Sequence, residues 1–427
     1  MDKFTSYNVA PGVNFNVIKD DRFKTGRASV ALFRPLDDAQ VCANAVLPFL
    51  LSKSCSKYKD FTSIHRYLDE LYGASVGADV SKLGEVQVLS ISSSFLADDY
   101  ALSKEKISEK ITNLLCEMLF DPIIVNGAFS TELLDQEKRQ LVDLIESEFN
   151  DKRIYSKNKC QELMCEGERF GINKYGTKSG VEGLSEPEVF EIWKENLKSS
   201  RIELTLLGNI KEHQFALDAF RNKFKELERT NIKECKTEII RECKSVRNFA
   251  ENISLSQSKL VMGFRTGIAG KDKNTMAMRL AVAIFGATPH CKLFLNVREK
   301  YSLCYYCSAK YDRHKGIMLV ESGVESKNIE RAKEEILNQL NDVKKGNFTD
   351  DDINNIKRSL SNMYRTIGDY LSSIESFYVS QIFDENKLST DEFIEKLDKV
   401  TKEEIVDAAN KIYIDTVYTL VGTGEEV

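Results

Sequence analysis

The hydrophobic and polar positions of this chain fall into periods that predict its elements. Ala28–Arg34 (ASVALFR) is an apolar run of strand length. A helical pattern runs from Ala43 to Lys53, and a second helix opens near Asp60, with Phe61, Ile64, Leu68 and Leu71 on one face. Gly73 stops that helix, and Glu85–Phe95 (EVQVLSISSSF) reads as the next strand. Longer helical patterns cover Ser103–Leu119 and Glu132–Cys165. Ser185-Glu-Pro-Glu188 has the capping-box spacing of a helix start, and the strand Ile202–Leu207 follows, closed by Gly208.

The second half repeats this order. Lys259–Arg265 (KLVMGFR) is the first strand, Thr275–Gly286 and Lys292–Lys300 are the helices, and Cys304–Tyr311 and Gly316–Gly323 are the next strands. Asn328–Lys345 and Asp350–Phe383 carry the long helical patterns. Thr401-Lys-Glu-Glu404 is a second capping box, leading to Val417–Val421 and Gly422. Phe33-Arg34 and Phe264-Arg265 close the first strand of each copy. Matching features lie roughly 215 residues apart, too long for a solenoid repeat and suited to a duplicated domain. The expected architecture is α+β: two homologous domains, each a mostly antiparallel sheet with helices packed on one face. The boundaries read as 1–225 and 251–427, joined by a linker, 226–250, inside a stretch rich in Lys, Glu and Asn.

The length of 427 residues agrees, because one core rarely serves more than about 250–300 residues. The formal charge of −6 argues against nucleic acid as the main partner, since phosphate backbones need a basic face. Met1–Asn16 lacks the basic and apolar regions of a signal peptide, and apolar stretches such as Ala277–Ala287 fall short of the about 20 residues a bilayer span takes. A soluble, cytoplasmic protein with no membrane partner is expected. Ten scattered cysteines fit free thiols in a reducing compartment. Cys304-Tyr-Tyr-Cys307 is formally C-x-x-C, but it sits in an aromatic strand with no second pair, which favours buried thiols.

Two segments carry a family resemblance. Asn44-Ala-Val-Leu-Pro48-Phe-Leu-Leu-Ser-Lys-Ser54 follows the first strand where pitrilysin/insulinase-type zinc peptidases carry H-x-x-E-H. Val297-Arg298-Glu299-Lys300-Tyr301-Ser302-Leu303-Cys304-Tyr305 resembles the family's R-E-K-R-G-L-A-Y segment in the second half. The duplication and the subunit size match too, so the resemblance spans essentially the whole chain. It implies half of a peptidase clamshell, similar to the inactive bacterial members that accompany an active partner of similar size.

The chemistry of H-x-x-E-H needs two imidazoles one helical turn apart for zinc and a glutamate as general base on the metal-bound water. Here the ligand positions hold Asn44 and Pro48, and the base position holds Leu47. Asn is a weak zinc ligand, Pro has no side-chain donor, and Leu takes no proton. The family's third ligand falls near Ile145–Glu146, and Glu146 alone holds no metal. The four histidines, His65, His213, His290 and His314, are unpaired in spacing and read as packing or surface residues. Gly267-Ile-Ala-Gly270-Lys271 has the wrong glycine spacing for a phosphate loop, and Asp272 stands where Ser or Thr is needed. Asp350-Asp351-Asp352 suits a helix N-terminus, and Trp193 suits a core or an interface.

The second motif is intact. The resemblance gives Arg298 the task of holding substrate backbone, and gives Tyr305 a hydrogen bond to the carbonyl oxygen as it becomes an oxyanion. The expected function is therefore that of a zinc-free, cofactor-free, non-catalytic subunit. It would form a heterodimer with an H-x-x-E-H homologue, handle a peptide substrate, and be inactive by itself. A peptide-binding or scaffold protein of the same fold is the alternative, and a homodimer is compatible with either. The processing-peptidase α-subunits carry a long glycine-rich loop, and Gly267–Gly270 is too short to match it.

Overall fold

A computed structural model describes residues 3–243 and 245–424. Met1 and Asp2, where the stretch read for a leader begins, lie outside the described residues. The first half supplies β1 (Lys3–Ala10), β2 (Val13–Lys19), β3 (Thr25–Pro35), α1 (Val41–Leu51), α2 (Phe61–Glu70), β4 (Ser75–Leu83), β5 (Val86–Leu96) and α3 (Ile107–Phe120). A short hairpin, β6 (Ile124–Val125) and β7 (Ala128–Phe129), leads to α4 (Thr131–Asn150), α5 (Lys152–Met164), α6 (Lys178–Glu182), α7 (Glu186–Ser199), β8 (Arg201–Gly208) and α8 (Gln214–Lys225). The second half supplies β9 (Arg247–Ile253), β10 (Ser258–Arg265), α9 (Thr275–Val282), β11 (Cys304–Asp312) and β12 (Ile317–Val324). It ends with α10 (Ile329–Lys344), α11 (Asp350–Thr366), α12 (Leu371–Val379), α13 (Thr390–Asp398), α14 (Lys402–Asn410) and β13 (Tyr413–Gly422).

The strand pairing makes the duplication explicit. The first sheet has the order β1-β2-β8-β3-β5-β4, and the second has β11-β12-β10-β13-β9. Read from the second sheet's far edge, β9, β13, β10, β12 and β11 take the places of β2, β8, β3, β5 and β4. Each sheet has one parallel pair, β2 with β8 and β9 with β13, and antiparallel pairs elsewhere. The mostly antiparallel α+β architecture expected from the sequence is therefore present. The capping boxes at Ser185 and Thr401 both form.

The chain folds into two compact units, each assembled from three segments. One comprises Met1–Glu146, Ile172–Lys236 and Tyr370–Val379; the other comprises Ser147–Gly171, Thr237–Asp369 and Ser380–Val427. In the first unit, Ala28, Val30 and Leu32 of β3 point into a core shared with residues of α1, α3, α7 and α8. The alternating residues Arg27 and Ser29 point the other way and bind Glu375 of α12. In the second unit, α5 packs Cys160 and Met164 on Val261, Leu319, Tyr418 and Leu420. Gly263 permits this approach, because a Cβ there would lie 2.6 Å from the Met164 sulfur. Each sheet thus bears one helix on its second face, drawn from the other half of the sequence.

A buried ion network fixes the segment after α5. Glu168 sits 2.6 Å from Arg265 and 2.6 Å from the fully buried Lys315, and Arg265 also reaches Asp415 at 2.9 Å. Burial opposes the charge on Glu168, but the hydrogen bonds from Arg265 and Lys315 outweigh it and hold its carboxyl below the usual range.

Several elements differ from the sequence reading. The expected helix Glu132–Cys165 is two helices, because Asp151 accepts from the backbone of Arg153 (2.9 Å) and Ile154 (3.1 Å) and restarts the chain as α5. The expected helix Asp350–Phe383 breaks at the 3-10 turn Ile367–Asp369. Thr275–Gly286 ends in a π-helical turn, Ala283–Ala287, and Lys292–Lys300 is largely π-helical. Strands β1, β2, β4 and β9 had no counterpart in the periodicity. Strand β9 begins at Arg247, within the stretch read as linker.

Candidate functional site

Helix α1 is apolar around most of its circumference, and Asn44, Leu47 and Pro48 are all buried in it. Asn44 is 1% exposed, and its Oδ1 accepts a 2.9 Å hydrogen bond from Nδ2 of Asn196 on α7. Leu47 is 2% exposed and belongs to the core of the first unit. Pro48 interrupts the helical ladder, since it has no N–H to offer the Asn44 carbonyl. Glu146 is half exposed and paired with Lys178 at 2.5 Å. Zinc does not fit these positions: Asn44, the one polar side chain of the three, is already bonded to Asn196, and Leu47 and Pro48 lack donor atoms. Among the described residues, no group of three or more His, Cys, Asp or Glu side chains is arranged to hold a metal ion.

Sequence reasoning missed Glu137 on α4. It is fully buried, both carboxylate oxygens lack a hydrogen-bond partner, and Lys53 stands 3.9 Å away. Burial pushes its carboxyl up, and Lys53 only partly opposes this. The signal was available, because Leu134, Glu137 and Leu141 are the buried positions of α4 at helical spacing.

Arg298 and Tyr305 are brought together. The π-helical segment Leu293–Lys300 ends in an i to i+5 bond from Tyr301 N to Asn296 O (2.9 Å), and Ser302 turns the chain at φ +50°. Strand β11 then starts with a bulge between Cys304 and Tyr306 opposite β12. The extra residue, Tyr305, is left outward and 59% exposed. The Arg298 guanidinium lies 4.7 Å from the Phe294 ring centre and 3.5 Å from Glu299. Both side chains line an open pocket of about 390 Å³ with Ser302, Glu325 and Asn328. Among the described residues, the Tyr305 hydroxyl has no hydrogen-bond partner.

The remaining candidates are structural. Cys304 and Cys307 are buried free thiols. Hydrogen bonding from Cys307, with help from Arg298, draws Cys304 below the ordinary thiol range despite burial. His65 is exposed against Phe61, and His290 is exposed. His213 meets the Tyr7 hydroxyl at 3.0 Å. His314 is pushed down to about 3 by burial beside Arg313 and Arg279, so it is neutral. Trp193 is a core residue whose Nε1 donates to Leu119 O at 3.0 Å. Asp350–Asp352 open α11 beneath a Thr349 capping box. The backbone of Ala269 donates to Asp272 at 2.7 Å, which ties the Gly267–Lys271 loop to itself. No helix among the described residues is long and apolar enough to cross a membrane.

The chain is similar to known proteins over almost its whole length. The sequence profile of the family described as "Peptidase M16 inactive domain" matches residues 183–360. The "Probable inactive metalloprotease YmfF" of Bacillus subtilis (strain 168) is 30% identical over 414 residues, 96% of each chain. The crystal structure of a conserved protein from Enterococcus faecalis V583 superposes with a TM-score of 0.91 at 27% identity, covering 99% of this chain and 100% of that one. A protease from Helicobacter pylori shares the fold, with a TM-score of 0.78 at 13% identity over 98% of this chain and 99% of that one.

Proposed function

Because the chain belongs to the M16 peptidase family as an inactive member, we propose that it is the non-catalytic subunit of a heterodimeric metallopeptidase. Its partner would be a homologue carrying H-x-x-E-H, in the cytoplasm of a bacterium. The observation that carries this reading is the contrast between the two motif positions. The metal and base positions are closed into a core, while Arg298 and Tyr305 stand together on an open pocket. Tyr305 is 59% exposed, so its hydroxyl is open to a ligand in the pocket it lines with Arg298.

In this role Arg298 donates its planar fork to substrate backbone oxygens. The Tyr305 hydroxyl donates to the carbonyl oxygen that gains charge when water attacks. The two inherited repeats follow the boundaries read from the sequence, 1–225 and 251–427, except that β9 carries the second back to Arg247, and the compact units arise when each repeat lends a helix.

The test is reconstitution with an H-x-x-E-H homologue from the same cell. The chain alone should carry no stoichiometric zinc and cleave nothing, and the pair should cleave peptide. Tyr305→Phe should lower kcat of the pair by about 10²–10³, the usual cost of one oxyanion donor. Arg298→Ala should raise KM as well. Unchanged rates for both variants, with assembly intact, would leave a scaffold role in place of the trans role.

A further inference from the structure

The second unit holds a cavity of about 340 Å³ that shares no lining residue with the Arg298 pocket. Its walls are the loop Gly270–Lys273, the first turns of α9, Arg313 and the stretch from Gln381 to Lys396. Five of its lining side chains are cationic, namely Lys271, Lys273, Arg279, Arg313 and Lys396, against three acids, Asp272, Asp384 and Glu385. Two of those acids are already engaged. Asp384 pairs with Arg313 at 2.9 Å, and Asp272 pairs with Arg241, outside the cavity, at 3.2 Å. That leaves one exposed acid, Glu385, facing four cations.

Arg279 is the informative residue. Its Nη1 donates to the Tyr364 hydroxyl at 3.2 Å, and its guanidinium lies 5.1 Å from the Phe393 ring centre. It makes no ion pair among the described residues, and its buried Nε has no acceptor. An arginine held against an aromatic ring, half-buried and lacking a carboxylate, can receive an anion through the part of its fork that faces the cavity. Arg313 lines the same cavity, but its guanidinium is already bonded to Asp384 and to the Ser380 carbonyl. Met276, Leu388 and Phe393 supply an apolar side to the same cavity.

We propose that this cavity binds a small phosphate-bearing anion, gripped by Arg279 with Lys271, Lys273 and Lys396 around it. A phosphate group carries about −1.5 to −2 charges near neutral pH and spreads them over three oxygens, which suits cations that approach from several directions. The loop is not a phosphate loop of the strand–loop–helix kind, and the site does not depend on one. The selectivity comes from side chains.

Isothermal titration of the full chain with inorganic pyrophosphate, at low salt, tests this. One saturable site is expected, weakened at least tenfold in Arg279→Gln and several-fold in Lys396→Gln. Lys396 is exposed, so that second variant retains a folded chain even if Arg279→Gln does not. Tyr305→Phe should bind like the wild type, which separates this site from the peptidase reading. Tighter binding of ADP than of pyrophosphate would assign the site to a phosphate ester, using the apolar wall; equal binding would assign it to the inorganic ion. No saturable binding, equal affinity in both cavity variants, or citrate binding as tightly as pyrophosphate would overturn the proposal.

Discussion

The family resemblance puts Leu47 at the general-base position, and replacing it by glutamate should show whether that face is a dormant site or a core. The side chain is 2% exposed in the main cluster of the first unit. Removing a buried leucine side chain forfeits about 1.5–3 kcal/mol of burial. A carboxylate in its place must be desolvated or protonated. Holding a glutamate neutral at pH 7, from an unfolded pKa of about 4.3, costs about 4 kcal/mol at 1.36 kcal/mol per unit. Together these reach about 5–7 kcal/mol, comparable to the whole stability of many domains at about 5–15 kcal/mol.

The neutral isostere Leu47→Gln carries the burial loss without the proton cost, so the two variants separate the terms. The introduced acid has a folded pKa raised above its unfolded value. Its relative stability is therefore fully present below about pH 4 and is lost as pH rises toward 7. Urea denaturation of wild type, Leu47→Gln and Leu47→Glu at pH 5 and pH 8 reads this directly. The gap between the Gln and Glu variants should widen at pH 8. The triple change Asn44→His, Leu47→Glu, Pro48→His should not yield a folded protein with one equivalent of zinc. A stable Leu47→Glu at pH 8, together with a zinc-loaded triple variant, would refute the reasoning, because the face would then be an open site with substituted residues.

Other outcomes follow from the buried charges. Lys315→Met leaves Glu168 short of one of its two cations in a buried setting and should cost about 3–5 kcal/mol, read as a lower urea midpoint; an unchanged midpoint would show the network to be dispensable. Glu168 has a depressed folded pKa, so its contribution is present above the unfolded carboxylate pKa and should be lost as pH falls through the folded value, with the wild-type loss absent in Glu168→Gln. Glu137 has the opposite sign: its raised folded pKa means stability is greatest below the unfolded value and declines as pH rises, so Glu137→Gln should gain on wild type between pH 5 and pH 8 in thermal melts. Identical pH profiles for Glu137→Gln and wild type would mean that the buried acid finds a partner in solution.

Local pattern carried a great deal here because it reports on burial face and on chain ends. The apolar runs at β3 and β10, the capping boxes at Ser185 and Thr401, and the order in which they recur made the duplication legible. The residue types at positions 44, 47 and 48 were legible before any coordinate, because no packing gives leucine or proline a ligand atom. Arg298 and Tyr305 were legible as a motif.

What the sequence left open concerns partners far along the chain. Strand β9 is polar and mostly exposed, and it becomes a strand only by pairing in parallel with β13, more than 150 residues later. Helices α5 and α12 look continuous with their predecessors in period, and the other half's sheet decides where each docks. The bulge that turns Tyr305 outward depends on its register against Val324 and Gly323. Glu168 joins Arg265, Lys315 and Asp415 across the second unit, and Arg279 joins Arg313 and Lys396 around one cavity. Hydrophobic period fixes which side of an element is buried, but the Coulomb energy of a charge depends on what folding places within a few ångströms of it. Periodicity therefore specified the apolar elements and their repeat, while the tertiary structure decided which charges are paired and which side chains stand together on an open surface.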